Sequence, residues 1–428
     1  MASKPLQIVA KILKLLASFT ISKYRPGVIG ITGSVGKTSA KEAVRMVLRG
    51  VREARESRGN FNSEIGLPLT ALGQWRDEEI ALFSREYPLG ANRFRKLRFL
   101  LKVILISIWR LIFGRRRSYP ELLILEFGAD KPGDIKYLLQ VVRPQIAVVT
   151  AVGEVPVHVE FYSSPEQVAR EKSRLVEQLP SNGFAVLNAD DEAVLAMRER
   201  TRAHVITFGF GEDAEVRITN FENRTGNGRP AGIAFKLQYG GSFVPLKMEN
   251  CFGRPAAMSA AAAAAVGIVF GMHLVRIAEA LSLYQQPPHR TRLIAGIKGS
   301  AVLDDSYNAS PLSMAAAIDI AKNLPASRKI GVLGDMLELG EYSLEAHERV
   351  GQLAAKVFDV LITVGSRGKL IAASAAESGM SKRSIFSFDS AEEAIPKLDS
   401  LIRKGDLVLI KGSWAMHLDR LVHAVKQL

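Results

Sequence analysis

The chain has 428 residues, 47% of them apolar, which excludes a disordered or fibrous polymer and requires two or three lobes with cores of their own. Its single cysteine, Cys251, excludes a disulfide framework and any multi-cysteine metal cage. The formal charge of +14 is confined to two segments, five basic residues within 1–25 and nine within 90–118, neither of which holds an acid.

In residues 1–26, Gln7, Lys11, Lys14, Ser18 and Ser22 recur at helical steps with apolar residues between them, which predicts a basic amphipathic helix. Lys11 and Lys14 interrupt the apolar run that a secretory signal needs, so export is not expected. The segment 90–118 is built alike: Arg95, Arg98, Lys102 and Arg110 share one arc of a wheel, and Leu97, Leu101, Leu105, Trp109 and Phe113 help to fill the rest. Its longest uncharged run, Val103 to Trp109, is too short to span a bilayer. Such helices either lie in an anionic membrane interface or pack on each other and on the body. The first is the expectation, with the protein peripheral to the inner face of the cytoplasmic membrane. Nucleic acid is not an expected partner, because phosphate contacts have no use for so broad an apolar face.

From Gly27 onward strand-like runs alternate with helical ones: GVIGITG, ELLILEFGA, QIAVVTAV, FAVLNAD and HVITFGF. This predicts an α/β fold, a central domain over 27–289 with a parallel sheet and the basic insertion 90–118. VIGITGSVGKTSAKEAV joins a strand to a helix through Gly33, Ser34, Gly36, Lys37, Thr38 and Ser39. Glycines let backbone N–H groups approach a polyphosphate, the lysine reaches its terminal oxygens, and the threonine hydroxyl can hold Mg2+; ATP and Mg2+ are therefore the expected cofactors. Glu212 to Gly241 reads as a hairpin excursion, and Ala256 to Ala265 as a closely packed helix. After Gln286-Pro287-Pro288, the runs SAVLDD, KIGVLGD, VLITVG and DLVLIKG predict a C-terminal Rossmann-like α/β domain over 290–428.

The TGxxGKT loop, followed in order by NFNSEIGLPLTAL, ILEFGADKPGDI, VHVEFYSSPEQVAREKSRL, LDDSYNASPLSM, VLGDMLELG and LIKGS, resembles the Mur ligases. DDSYNA and GDMLELG resemble the branch that adds D-alanyl-D-alanine. The resemblance implies an ATP-dependent carboxylate-amine ligase of cell-wall precursor synthesis, working through an acyl phosphate. It implies one magnesium at Thr38 and Glu126 and a second at His158 and a carbamylated Lys172. It also implies ATP contacts from Arg292 and Asp305, and substrate contacts from Asn62, Asn308, Lys411 and Ser413. Its substrates would be a peptide or lipid-linked precursor and an amino acid or dipeptide.

Two departures accompany the likeness. Where the family has an asparagine-bearing stretch against the nucleotide base, this chain reads GRPAAMSAAAA, with Pro255, Ala256 and Ser259. The family's N-terminal UDP-binding domain has no counterpart before Gly30, which turns the expectation toward a lipid-linked substrate. A ligase for a poly-glutamate or cyanophycin-like polymer, and a non-catalytic membrane-associated scaffold, are the alternatives. A scaffold has no need of Lys37, Thr38, Glu126, His158 and Lys172.

Overall fold

Short runs of β-branched and aliphatic residues, buried on both faces, are what a parallel sheet under helices demands. The computed structural model describes residues 4–58, 61–83, 93–226 and 229–427; Asn60, which opens the NFNSEIG motif, and residues 90–92 of the basic insertion lie outside them. Strands β1 (Gly27–Thr32), β2 (Ala54–Glu56), β3 (Leu122–Glu126), β4 (Ile146–Val149), β5 (Phe184–Asn188), β6 (His204–Gly209) and β7 (Val216–Gly226) pair in parallel in the order β2-β3-β1-β4-β5-β6-β7. The excursion predicted as a hairpin over Glu212 to Gly241 is one, β7 pairing antiparallel with β8 (Arg229–Tyr239), and β9 (Ser242–Glu249), which follows it, adds a further antiparallel strand on β8. In β9, Leu246 and Met248 are buried between exposed neighbours, the alternation of a half-covered strand.

Helices cover both faces of this nine-stranded sheet. On one face the alanine-rich helix Gly253–Val269 lies against the helix Lys37–Leu48 through Ala260 to Ala265, all fully buried, opposite Ala40, Ala43, Val44 and Val47. Small side chains bring the two backbones close together. A Cβ on Gly267 would stand 2.9 Å from Ile277 and Val47. Cys251 is buried in the same core, and burial pushes its thiol up to about 12. On the opposite face the basic helices Lys4–Tyr24 and Arg93–Phe113 contribute Leu13, Ala17, Tyr24, Phe99 and Val103 to a second core with Leu123 and Leu125.

The second sheet has the order β10-β11-β15-β12-β13-β14, formed by β10 (Arg292–Ala295), β11 (Ala301–Asp304), β12 (Arg328–Gly334), β13 (Val360–Val364), β14 (Ile385–Phe388) and β15 (Asp406–Lys411). All neighbours are parallel except β10 on β11. β10 and β14 are the two edges, each four residues long and without a continuous buried run, which is why the sequence pattern does not announce them. The architecture is thus a P-loop-type parallel sheet followed by a Rossmann-like α/β unit, the fold class that the alternation predicts.

Candidate active site

The site begins at the C-terminal end of β1, a central strand where a loop can reach the crevice of a parallel sheet. Gly33 has φ 145° and Gly36 φ 86°, the second immediately before the helix Lys37–Leu48. A Cβ on Gly33 would lie 2.0 Å from Thr150 Oγ1, so only glycine fits there. Ala151 O accepts hydrogen bonds from Ser34 N (2.6 Å) and Val35 N (3.3 Å), and Thr150 Oγ1 donates to Val35 O (2.6 Å), pinning the loop to the segment after β4. Lys37 Nζ folds back to donate to Gly33 O at 2.7 Å. Its ammonium therefore sits inside the loop that a polyphosphate would occupy.

Register brings the first carboxylate to this loop: Glu126 ends β3 alongside Ile31 of β1. It is 1% exposed and ion-paired at 3.3 Å with Lys41, a fully buried lysine one turn beyond Lys37 that also donates to Ser57 O. His158 has a left-handed backbone, φ 70°. Its Nε2 lies 3.3 Å from Asp130 Oδ1, and its Nδ1 lies 2.5 Å from Glu338 Oε2, a residue of the second unit. Lys172, on the helix Pro165–Glu177, is 1% exposed. Burial, and after it repulsion from Lys37, brings its amine down to about 7, far below an ordinary lysine.

The opposite wall comes from the C-terminal unit. Lys411 Nζ pairs with Asp305 Oδ2 at 2.6 Å and donates to Asn308 O at 2.8 Å, while Asp305 Oδ1 accepts from Thr291 N at 3.0 Å. Burial pushes the Asp305 carboxyl up, and Lys411 acts against that shift.

One cleft gathers most of the predicted set. Ser34, Gly36, Lys37, Thr38 and Ser39 line it with Asn62, Glu126, His158 and Lys172 from the first lobe, facing Asp305, Asn308 and Lys411 from the second. Three predicted residues are not on its lining. Gly33 shapes the loop from behind; Ser413 is buried and accepts from Leu337 N at 2.9 Å. Arg292 begins β10 and is exposed. Arg290 lines the cleft in its stead, stacked 4.1 Å over the Tyr307 ring, because the backbone turns through left-handed conformations at His289 and Thr291.

Sequence reasoning also missed Asp130, Glu338, Gln286 and Tyr307. Asp130 lies inside the quoted ILEFGADKPGDI run and Glu338 inside VLGDMLELG, so both were within reach of that signal. Gln286 had no signal beyond its place before two prolines. It lines the cleft near Pro255 and Ser259, with its Oε1 accepting from Tyr284 OH at 3.1 Å.

Among the described residues no group of three or more His, Cys, Asp or Glu gathers as a metal cage. The predicted donors are of another kind, and their condition fits a cation. Ser34 Oγ of the loop is buried without a hydrogen-bond partner, the buried Glu126 carboxylate already faces a cation, the Lys41 ammonium at 3.3 Å, and the His158 ring stands between the carboxylates of Asp130 and Glu338. The Thr38 hydroxyl and the Glu126 carboxylate supply the hard oxygen donors that magnesium prefers.

A glycine loop on a parallel sheet, a second α/β lobe closing over it, and paired cationic and acidic groups in the cleft between them define a nucleotide-dependent group-transfer enzyme. Residues 106–267 match the Mur ligase middle domain, and residues 289–414 match the Mur ligase, glutamate ligase domain. UDP-N-acetylmuramoyl-tripeptide–D-alanyl-D-alanine ligase from Mycobacterium bovis is 30% identical over 421 residues, which cover 93% of this chain and 72% of that protein. The ligase of the same name from Bacillus subtilis is 28% identical over 96% of this chain and 78% of its own length. Among solved structures, MurF ligase from Thermotoga maritima in complex with ADP superposes with TM-score 0.76 at 25% identity, covering 97% of this chain and 83% of that one. The chain belongs to the Mur ligase family and is an ATP-dependent, amide-bond-forming ligase.

Proposed function

We propose that this ligase extends a peptidoglycan-precursor peptide by joining its terminal carboxylate to the amine of an amino acid or dipeptide, D-alanyl-D-alanine being the first candidate because the relatives above are named for it. The carrying observation is the convergence of the loop, Glu126, His158 and Lys172 on one cleft with Asp305 and Lys411. A substrate carboxylate oxygen attacks the γ-phosphorus of ATP and ADP leaves. The amine then attacks the acyl phosphate carbon, phosphate departs and the nitrogen loses its proton.

Lys37 exchanges the Gly33 carbonyl for the phosphates, and Thr38 and Glu126 are the residues that would hold one Mg2+. Bound there, the cation neutralises the meeting of two anions. Lys172, whose value of about 7 leaves a large share of its amine neutral at neutral pH, adds CO2 in that form to become a carbamate and release a proton; the carbamate and His158 would hold the second Mg2+. Asp305 and Arg290 meet the nucleotide from the second lobe. Gln286, whose carbonyl is engaged by Tyr284, presents its amide N–H groups to a ring nitrogen of the base where Pro255 and Ser259 offer none. The enzyme works in the cytoplasm at the inner face of the membrane, on a nucleotide-linked or lipid-linked precursor; the two basic helices support that location.

The test is release of ADP and phosphate with UDP-linked and lipid-linked tripeptides, with and without D-alanyl-D-alanine. Amine-dependent release, lowered at least about a hundredfold by Lys37→Ala, is expected. Amine-independent release, or full activity in Lys37→Ala, overturns the reading.

A further inference from the structure

The inner side of the N-terminal helix Lys4–Tyr24 is buried through Ala10, Leu13, Ala17, Thr20 and Tyr24. Its outer side carries Ile8, Ile12, Leu15 and Phe19, a helical stripe of exposed apolar residues. The helix Arg93–Phe113 repeats the arrangement. Phe99, Val103 and Ser107 face the body, and Phe94, Leu97, Leu101, Leu105, Ile108 and Ile112 face outward, Phe94 being 79% exposed and Leu105 66%. Trp109 and Phe113 extend that stripe, with ring centroids 6.3 Å apart.

The two helices are tied together. Lys23 Nζ donates to Arg110 O at 3.0 Å and Leu111 O at 2.8 Å, and Tyr24 OH donates to Arg110 O at 2.8 Å. Both cover the same face of the nine-stranded sheet, so their stripes look out from one side of the molecule. Twelve of the twenty large apolar side chains that stand exposed among the described residues belong to this pair. Apolar surface so concentrated marks a contact face rather than ordinary scatter.

What covers it is set by charge. Lys11, Arg95 and Arg98 flank the stripes, and Arg115, Arg116 and Arg117 follow at the Trp109–Phe113 end, all exposed, with no acid on either helix. A second copy presenting the same face would set cation against cation. Among the described residues no helix is long and apolar enough to cross a membrane. We infer that the paired helices are a docking face for an anionic lipid bilayer, their stripes entering the headgroup boundary and their arginines meeting lipid phosphates. The inference deepens the membrane-peripheral reading and rests on it. It also bears on the substrate: the N-terminal helix packs on the helix Gly66–Leu72, directly behind the loop that carries Asn62 into the cleft, so a lipid-anchored peptide would arrive on the substrate side of the first lobe.

Flotation of the whole chain with vesicles decides the matter. The protein is expected to float with vesicles of phosphatidylglycerol and phosphatidylcholine in equal parts, at least about tenfold more than with phosphatidylcholine alone, and less as salt is raised. Leu101→Asp combined with Leu105→Asp should abolish flotation, and Arg116→Glu combined with Arg117→Glu should weaken it about tenfold. Both pairs leave the cleft untouched, so ATP turnover on a soluble tripeptide and the far-ultraviolet dichroism of each variant should match the parent. Absence of flotation, flotation indifferent to lipid charge, or a concentration-dependent dimer broken by the aspartates without vesicle binding each overturns the inference. Because flotation needs neither ATP nor substrate, its failure is separate from any failure of the ligase chemistry.

Discussion

At Lys172 the burial of one amine gives the site a dependence on pH. Its folded value of about 7 lies well below that of the unfolded chain, so between these values the unfolded state binds the extra proton and stability rises with pH. The same shift governs the carbamate, since only the neutral amine adds CO2. Activity is therefore expected to fall as pH drops through about 7, and to recover in part with added bicarbonate; a profile indifferent to bicarbonate would count against the modification. Lys172→Ala should lower turnover at least about a hundredfold while leaving the melting temperature unchanged or higher, because it removes an amine whose burial outweighs the attraction of Asp130, Glu171 and Asp134. Gln286→Ala is expected to raise KM for ATP up to about tenfold with little change in kcat, the measure of one neutral hydrogen bond to the base. These residues differ in how far the sequence disclosed them. Lys37, Glu126, His158 and Lys172 were legible because each sits in a motif at fixed spacing. Arg290 was not, because left-handed turns at His289 and Thr291 decide which arginine enters the cleft, and neither residue type announces such a turn.

At the scale of the element, the loop's two left-handed glycines are unequal. Gly33→Ala drives a methyl into Thr150 and should cost about 2–4 kcal/mol and abolish nucleotide binding. Gly36→Ala has its nearest neighbour at 3.7 Å and carries mainly the backbone penalty, about 1–2 kcal/mol. Thermal unfolding of the two variants, with ADP titration, checks the order; equal losses would mean that the Thr150 contact does not shape the loop. The parallel strands were legible from their continuous apolar runs. β2, β9, β10 and β14 were not, since they are half-covered or at an edge, where burial leaves no such run. The basic helices show the limit of periodicity. The wheel set Lys11 and Lys14 on one polar stripe opposite a broad apolar face, yet Lys14 turns inward over the Tyr137 ring and Lys23 caps the neighbouring helix. With apolar residues on most of the circumference, sequence alone could not tell which arc the body takes.

For the whole molecule, the contact between His158 and Glu338 is a strut between the lobes, reinforced where Glu160 N donates to Glu338 O at 3.2 Å. A ligase that must admit two substrates and then exclude water has to open and close about such contacts. Glu338→Ala should shift the nucleotide-free protein toward open forms, read as a larger radius of gyration by small-angle scattering; an unchanged radius would show that other contacts hold the lobes. The two-lobe plan was legible from the repeated alternation of strands and helices, but the strut was not, because it joins residues far apart in the chain and depends on left-handed backbone at both His158 and Glu338.

The burial of Cys251 has a practical corollary. The native chain offers no accessible thiol and the one it has stays protonated, so a maleimide dye would react only as the protein unfolds. Cysteines introduced one per lobe could then carry a donor and acceptor pair without first deleting the natural residue, and single-molecule energy transfer would follow hinge motion during turnover on the otherwise unaltered enzyme.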